Sequence, residues 1–319
     1  MTLTPPALRP LEEEALSLKS RRTRRRRRMG RKETGAALGF LAPNLLGFLV
    51  FTLIPIVASL VLSFYEWPLL GEAVFTGLDN LVTLFTADPV FWEVVGNTAY
   101  FVIAYVGLNL ILSLGLALWL TSNVRWKGAM RVIFFLPVVA PMVANAVVWR
   151  LLYTPEDGLI AWIFQTVAGT SGPNWLSSST WAMPAVILMS LWQGFGYNMI
   201  IFIAGIESIP ASIHEAAKID GAGWWRRTAS VTLPLLTPSL FFATVMTVIS
   251  SLQVFAQPFI LTGGGPGSST TTLVFYLYQR GFQSYEMGYA SSIAWSLFMI
   301  IMVITFIQFR GQKRWVHYS

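Results

Sequence analysis

Apolar residues recur along this chain in runs too long to be the core-facing stripe of a soluble helix. A hydrocarbon layer about 30 Å thick takes roughly 20 predominantly apolar helical residues to cross. Six stretches meet that requirement: 38–65, 95–120, 132–153, 182–206, 239–261 and 289–309. Lipid tolerates only structures whose backbone groups bond internally, and continuous apolar runs of this length are helical ones. The pattern therefore predicts an all-α membrane protein with about six transmembrane helices. Pro43, Pro55, Pro137 and Pro141 fall inside runs. They predict kinks, because neighbouring helices and polar side chains can satisfy the carbonyls that a proline frees. The first run follows a basic segment, as in a signal peptide, but exceeds the usual roughly 7–15 apolar residues and shows no clear cleavage site. It reads as a retained anchor.

Composition sharpens this picture. The 319 residues are 55% hydrophobic and 12% charged, against about 25% charged in soluble domains. With no cysteine, and only His214 and His317 to offer imidazole, neither a disulfide, a metal site nor a cofactor is expected. The net charge of +7 comes mostly from residues before Ala36, including the arginine run 24–28. The other basic residues sort by loop. Arg125, Lys127 and Arg131 share one side with Lys218, Arg226 and Arg227 and with Arg310, Lys313 and Arg314. Only Arg150 and Arg280 join the acids Glu66, Glu72, Asp79, Glu93, Glu156, Asp157 and Glu286 on the other. The positive-inside rule then places both termini in the cytoplasm. The chain divides into a basic tail (1–35), a membrane domain (36–310) and a short cytoplasmic tail (311–319). The first tail reads as disordered and as a topology signal, with no nucleic-acid partner.

The segment 208–236 is longer than a hairpin connection requires. Ser208 can cap a helix and Pro210 suits its first turn, Gly221 supplies a stop, and Gly223 opens a second short helical stretch. Pro234 is expected to break the chain before the next span. In Glu215-Ala216-Ala217 one acid stands beside two methyl groups, so another protein's surface could approach closely and be oriented by charge. An amphipathic helix lying on lipid fits the segment equally well, given Trp224 and Trp225 followed by Arg226 and Arg227. The chain carries no Gly-x-x-x-x-Gly-Lys-[Ser/Thr] phosphate loop. The glycine-rich run 263–267 lacks the lysine and reads as an external turn or a loop that contacts a partner. Spans nearly free of ionisable residues argue against a proton relay, an ion-coupled carrier or an ion channel.

Glu215-Ala216-Ala217, Gly221 and Leu233-Pro234 resemble the EAA loop of ABC importer permeases. The adjoining Lys218-Ile219-Asp220-Gly221-Ala222 is similar to its sugar-importer version. Val231 stands where isoleucine is usual, and Thr228 where an aromatic is common. Further similarity lies in 134–137, 149–153, 261–278 and 287–294, so the resemblance covers roughly 38–309. It points to the first of the two permeases in carbohydrate importers of the maltose and glycerol-phosphate type. That resemblance implies a cytoplasmic coupling helix seated on a separate ABC ATPase dimer, involving Glu215, Ala216, Ala217, Asp220, Gly221, Leu233 and Pro234. It also implies a second permease subunit, an extracytoplasmic solute-binding protein, an inner-membrane location, a sugar solute and no ATP hydrolysis in this chain. The external loop 66–93 is too short for the large external domain some members carry.

A sugar offers hydroxyls and apolar ring faces, so a transient site should combine amides or hydroxyls with aromatic platforms. Trp192, Gln193, Tyr197 and Asn198 on the fourth span are candidates. So are Ser250, Ser251, Gln253 and Gln257 on the fifth, and Ser291 and Ser292 on the sixth. Each equally suits hydrogen bonding between helices. Three alternatives stay open: a permease for another polar solute, a membrane enzyme acting on lipid-linked sugars with Glu156-Asp157 as its nearest acid pair, and a scaffold.

Overall fold

The computed structural model describes residues 36–68, 71–122, 124–170 and 172–316. The basic tail, His317 and the end of the C-terminal tail lie outside these. The described residues up to Val61 form a unit of their own; they belong to helix α1 (Ala36–Leu62), whose most apolar stretch has no buried residue.

The second unit, from Leu62 onward, begins with a short antiparallel hairpin of β1 (Tyr65–Glu66) and β2 (Val74–Phe75). Helices α2 (Asp79–Thr86), α3 (Pro89–Leu120), α4 (Lys127–Val139), α5 (Met142–Leu152) and α6 (Leu159–Ala168) follow. Then come α7 (Ala182–Glu207), α8 (Ala211–Ile219) and α9 (Trp224–Leu252), and finally α10 (Ala256–Leu261), α11 (Leu273–Tyr278) and α12 (Met287–Gln312). Helix α3 begins well before its apolar run because Asp88 caps it: its Oδ1 accepts from the N–H groups of Val90 at 3.0 Å and Phe91 at 3.2 Å, with Pro89 in the first turn.

Helices α3, α7 and α9 share a core of Ala117, Leu120, Met199, Phe202, Leu236 and Ala243. In lipid such helices are held by close packing and interhelical hydrogen bonds. Here Asn198 Nδ2 donates to Asn109 Oδ1 at 2.7 Å and to Thr247 Oγ1 at 2.8 Å, joining all three. Ser113 Oγ adds a bond to the Phe195 carbonyl at 2.7 Å.

Prolines shape the spans more strongly than kinks would. Pro141 cannot donate to the Pro137 carbonyl, and its ring disfavours helical backbone at Ala140. Ala140 is extended (ψ 141), and α4 and α5 diverge by 97°. Buried Asn145 donates to the freed Pro137 carbonyl at 3.1 Å. The expected single kinked helix over 132–153 is therefore a broken pair. Arg131 on α4 pairs with Glu207 at the C-terminal end of α7 at 2.5 Å. Tyr153, just after α5, donates to the Ala185 carbonyl near the N-terminal end of α7 at 3.0 Å. The broken pair thus follows α7 from end to end, and the spans number five continuous helices plus this one among the described residues.

The fifth span departs similarly from the expected 239–261. It ends at Leu252, and α10 resumes at Ala256. Pro258 cannot bond the Val254 carbonyl, which accepts instead from Thr272 Oγ1 at 2.7 Å. At its other end the span runs back to Trp224, because Pro234 does not break it. A π-turn over Thr228–Thr232 precedes the proline, with the Leu233 N–H bonding the Thr228 carbonyl. A wide turn moves the carbonyls away from the ring. The same device precedes Pro55 in α1, over Leu49–Leu53.

At the opposite end from Arg131 and Glu207, Asp88 Oδ2 accepts from the hydroxyls of Tyr276 and Tyr289. Arg280 Nε donates to Tyr276 at 3.0 Å, and its guanidinium pairs with Glu286 at 3.1 Å. This ties the starts of α3 and α12 to α11. Burial alone would raise the Asp88 pKa. The two tyrosine hydroxyls, the Phe91 N–H and the Arg280 charge outweigh it and hold the carboxyl below its ordinary 3.8. A depressed folded-state pKa stabilises above the unfolded value, and that stability is lost as pH falls through the folded one. The difference in thermal unfolding temperature between the wild type and Asp88→Asn is therefore expected to be constant above pH 3.8 and to shrink below it. Thermal melts of the solubilised protein across acid pH check this, and a pH-independent difference refutes it.

Candidate functional site

Helix α8 stands between α7 and α9 with two unlike faces. Ser212, Glu215, Ala216 and Ile219 follow helical i, i+3, i+4 spacing and are all exposed, Ile219 by 86%. His214, Ala217 and Lys218 lie on the other face, with Ala217 buried. Ser208 does not cap this helix: its hydroxyl donates back to the Gly205 carbonyl of α7 at 2.7 Å, and Pro210 precedes the first turn. The C-terminal end is tightly defined. Gly221 takes φ +73, which a side chain disfavours. The N–H of Ala222 bonds the Ala217 carbonyl at 2.9 Å and that of Gly221 bonds Lys218 at 3.0 Å, a Schellman stop. Asp220 is exposed beside it, while Leu233 and Pro234 lie half-buried in α9.

A cavity of about 380 Å³ opens at the α9 to α10 break. It gathers Ser250, Ser251, Gln253 and Gln257 with Phe101 and Tyr105 of α3 and Ser190 of α7. The Phe101 and Tyr105 rings stack with centroids 5.3 Å apart and 11° between planes. One turn along α3, Asn109 Nδ2 lies 3.3 Å from the Tyr105 hydroxyl, linking the cavity to the Asn198 and Thr247 network.

The other candidates lie elsewhere. Asn198 is buried in that network, with its Oδ1 lacking a donor among the described residues, as does Gln193 Oε1. Trp192 packs edge-on against Trp149 at 5.7 Å, and Tyr197 is half-exposed. Ser291 Oγ bonds the Met287 carbonyl at 2.8 Å, and Ser292 Oγ bonds those of Ser63 and Gly288, each at 3.3 Å. Both serines serve backbone. Phe101, Tyr105 and Ser190 went unrecognised in the sequence. The four-residue spacing of the two aromatics was the available signal for the ring pair, but nothing local marks it as facing α10.

Residues 109–315 match the family described as binding-protein-dependent transport system inner membrane component. The chain belongs to this family. It is a multi-pass inner-membrane permease subunit. It is 39% identical over 292 residues to the probable ABC transporter permease protein YesP of Bacillus subtilis (strain 168), covering 91% of this chain and 94% of the relative. It is 35% identical to the lactose transport system permease protein LacF of Rhizobium radiobacter, over 86% of this chain and 93% of that one. Its fold matches a chain in the crystal structure of a bacterial ABC transporter involved in the import of the acidic polysaccharide alginate. The TM-score is 0.79 at 22% identity, covering 89% and 96% of the two chains.

Within this permease, Gly194 of α7 sets how closely Tyr105 approaches. A Cβ there would stand 2.2 Å from the Tyr105 hydroxyl and 3.5 Å from Asn109 Nδ2. Gly194→Ala is expected to push the ring off Phe101 into the cavity and lower uptake about ten-fold through a misplaced contact, while the subunit still inserts. Uptake normalised to membrane-inserted protein measures it, and wild-type rates in the alanine variant refute it.

Proposed function

We propose that this permease forms half of the pathway by which a sugar or sugar-like solute crosses the inner membrane. We further propose that it couples that passage to ATP hydrolysis in a separate ATPase dimer through α8. A second permease completes the pathway, and an extracytoplasmic binding protein delivers the solute. Both termini then lie in the cytoplasm, on the side of α8.

The observation that carries the reading is the outer face of α8. A short helix with a fixed stop presents an acid, a methyl and a bare isoleucine at Glu215, Ala216 and Ile219, away from the bundle. Closure of an ATPase dimer gripping this face would displace the helix as a rigid piece, and α9 follows it after only four residues. Such work is transmitted only if the contact differs between the open and closed states, and the exposed Glu215 carboxylate offers a directional one. Leu233 and Pro234 sit where the π-turn hands that motion to the straight part of α9.

The sugar assignment draws on the relatives, including LacF and the trehalose/maltose transport system permease protein MalF of Thermococcus litoralis, which is 34% identical over 278 residues. It also draws on the α9 to α10 cavity. Discontinuous helices commonly build the solute sites of transporters, because unwound backbone needs a cavity or a partner. This one offers the stacked Phe101 and Tyr105 to a ring face, and Ser250, Gln253 and Gln257 to hydroxyls.

Charge reversal at Glu215 tests the coupling. In the reconstituted importer, Glu215→Lys is expected to insert normally while uptake and solute-stimulated ATP hydrolysis each fall about ten-fold or more, as for a reversed contact at a docking surface. Transport at the wild-type rate in that variant refutes the role.

A further inference from the structure

Beneath the inner face of α8 lies a second cavity of about 380 Å³, roofed by the start of α9 and by the C-terminal ends of α3 and α7. Its charged lining is of one sign: Lys218 from α8 and Arg227 from α9, with the His214 imidazole beside them. No carboxylate lines it, and among the described residues none of these three side chains forms an ion pair, since the two pairs seen join Arg131 to Glu207 and Arg280 to Glu286. Glu215 belongs to the opposite face of the helix. Thr228 and Thr232, both buried, line the cavity on the α9 side. Thr228 presents only a small side chain to it.

We propose that this cavity holds the phosphate headgroup of an anionic phospholipid. Two unpaired cations and an imidazole facing one open cavity suit an anion, and basic pockets between spans at the cytoplasmic surface suit lipid phosphates. The surroundings favour a lipid over a free ion. Trp224 lines the cavity and Trp225 stands edge-on to it, with centroids 4.4 Å apart. They are 43% and 78% exposed, as expected of rings at headgroup depth. The proposal rests on the orientation given above, which sets α8 at the cytoplasmic leaflet. Because the lipid meets the inner face, it leaves Glu215 and Ile219 accessible. A bound headgroup would thereby brace α8 against the bundle, and neutral membranes would leave it loosely seated.

The test uses the full chain, purified and placed in bilayers of equimolar phosphatidylglycerol and phosphatidylcholine, with retained lipid counted by native mass spectrometry. The wild type is expected to retain phosphatidylglycerol in preference to phosphatidylcholine, undisturbed by added inorganic phosphate. Lys218→Gln with Arg227→Gln is expected to weaken retention about five-fold per charge removed. Thr228→Phe keeps every charge, fills the cavity, and is expected to lose the lipid. Equal retention by the double variant, or by Thr228→Phe, overturns the site. Displacement by inorganic phosphate overturns the lipid as its occupant. Lipid retention is read without ATP or solute, so its failure leaves the coupling role standing, and failure of coupling in Glu215→Lys leaves the lipid count unchanged.

Discussion

Inside a bilayer a carbonyl that loses its helical partner finds no water, and where several spans of this permease break or run on follows from how such carbonyls are recaptured. Every proline within a span sets the problem, since it removes the donor that would have bonded four residues back. Pro141 exposes Pro137, and Asn145 answers. Pro258 exposes Val254, and Thr272 answers. Pro238 exposes Pro234, and the Thr237 hydroxyl answers at 2.7 Å. At Pro141 and Pro258 a side chain reaches from further along the chain and the helix breaks, whereas at Pro238 the adjacent residue, and at Pro55 and Pro234 a π-turn, lets it run on.

The two breaks have different outcomes. At Ala140 the chain turns sharply yet continues along α7, so the crossing is preserved in two pieces. At Gln253 the unwound backbone leaves a volume walled by a ring stack and amides. The second kind of break is the one the proposed passage of a hydroxyl-rich solute would use. Such a molecule needs polar groups at depth without fixed charge, and the serine and glutamine side chains at this break are of that kind. The buried network of Asn109, Asn198 and Thr247 then holds the walls of that volume in register.

The positions of the spans were legible because apolar length is a local property: five runs meet long apolar helices and the sixth, 132–153, meets the bent pair. Their bounds were less so. The start of α3 lies six residues before its apolar run because Asp88 and Pro89 cap it, which is visible in the sequence only once the cap is sought. The breaks were half legible. Pro141 and Pro258 are plain to see, but whether a proline kinks or severs a helix depends on where the replacement donor sits, and Thr272 is fourteen residues beyond Pro258. The cavity lining divides in the same way. Ser250, Ser251, Gln253 and Gln257 are near neighbours on one segment and were found together. Phe101, Tyr105 and Ser190 come from two other helices, and only packing brings them to the same place.

Helix α3 has 32 residues, about 48 Å at the usual rise, well beyond a hydrocarbon thickness of about 30 Å. It must lean, or carry its ends through the headgroup layers. Its first residues are fastened by Asp88, its middle bears Phe101 and Tyr105, and its last turn walls the basic cavity. One stiff rod therefore registers membrane thickness at three stations at once, so a change in lipid chain length would shift all of them in concert.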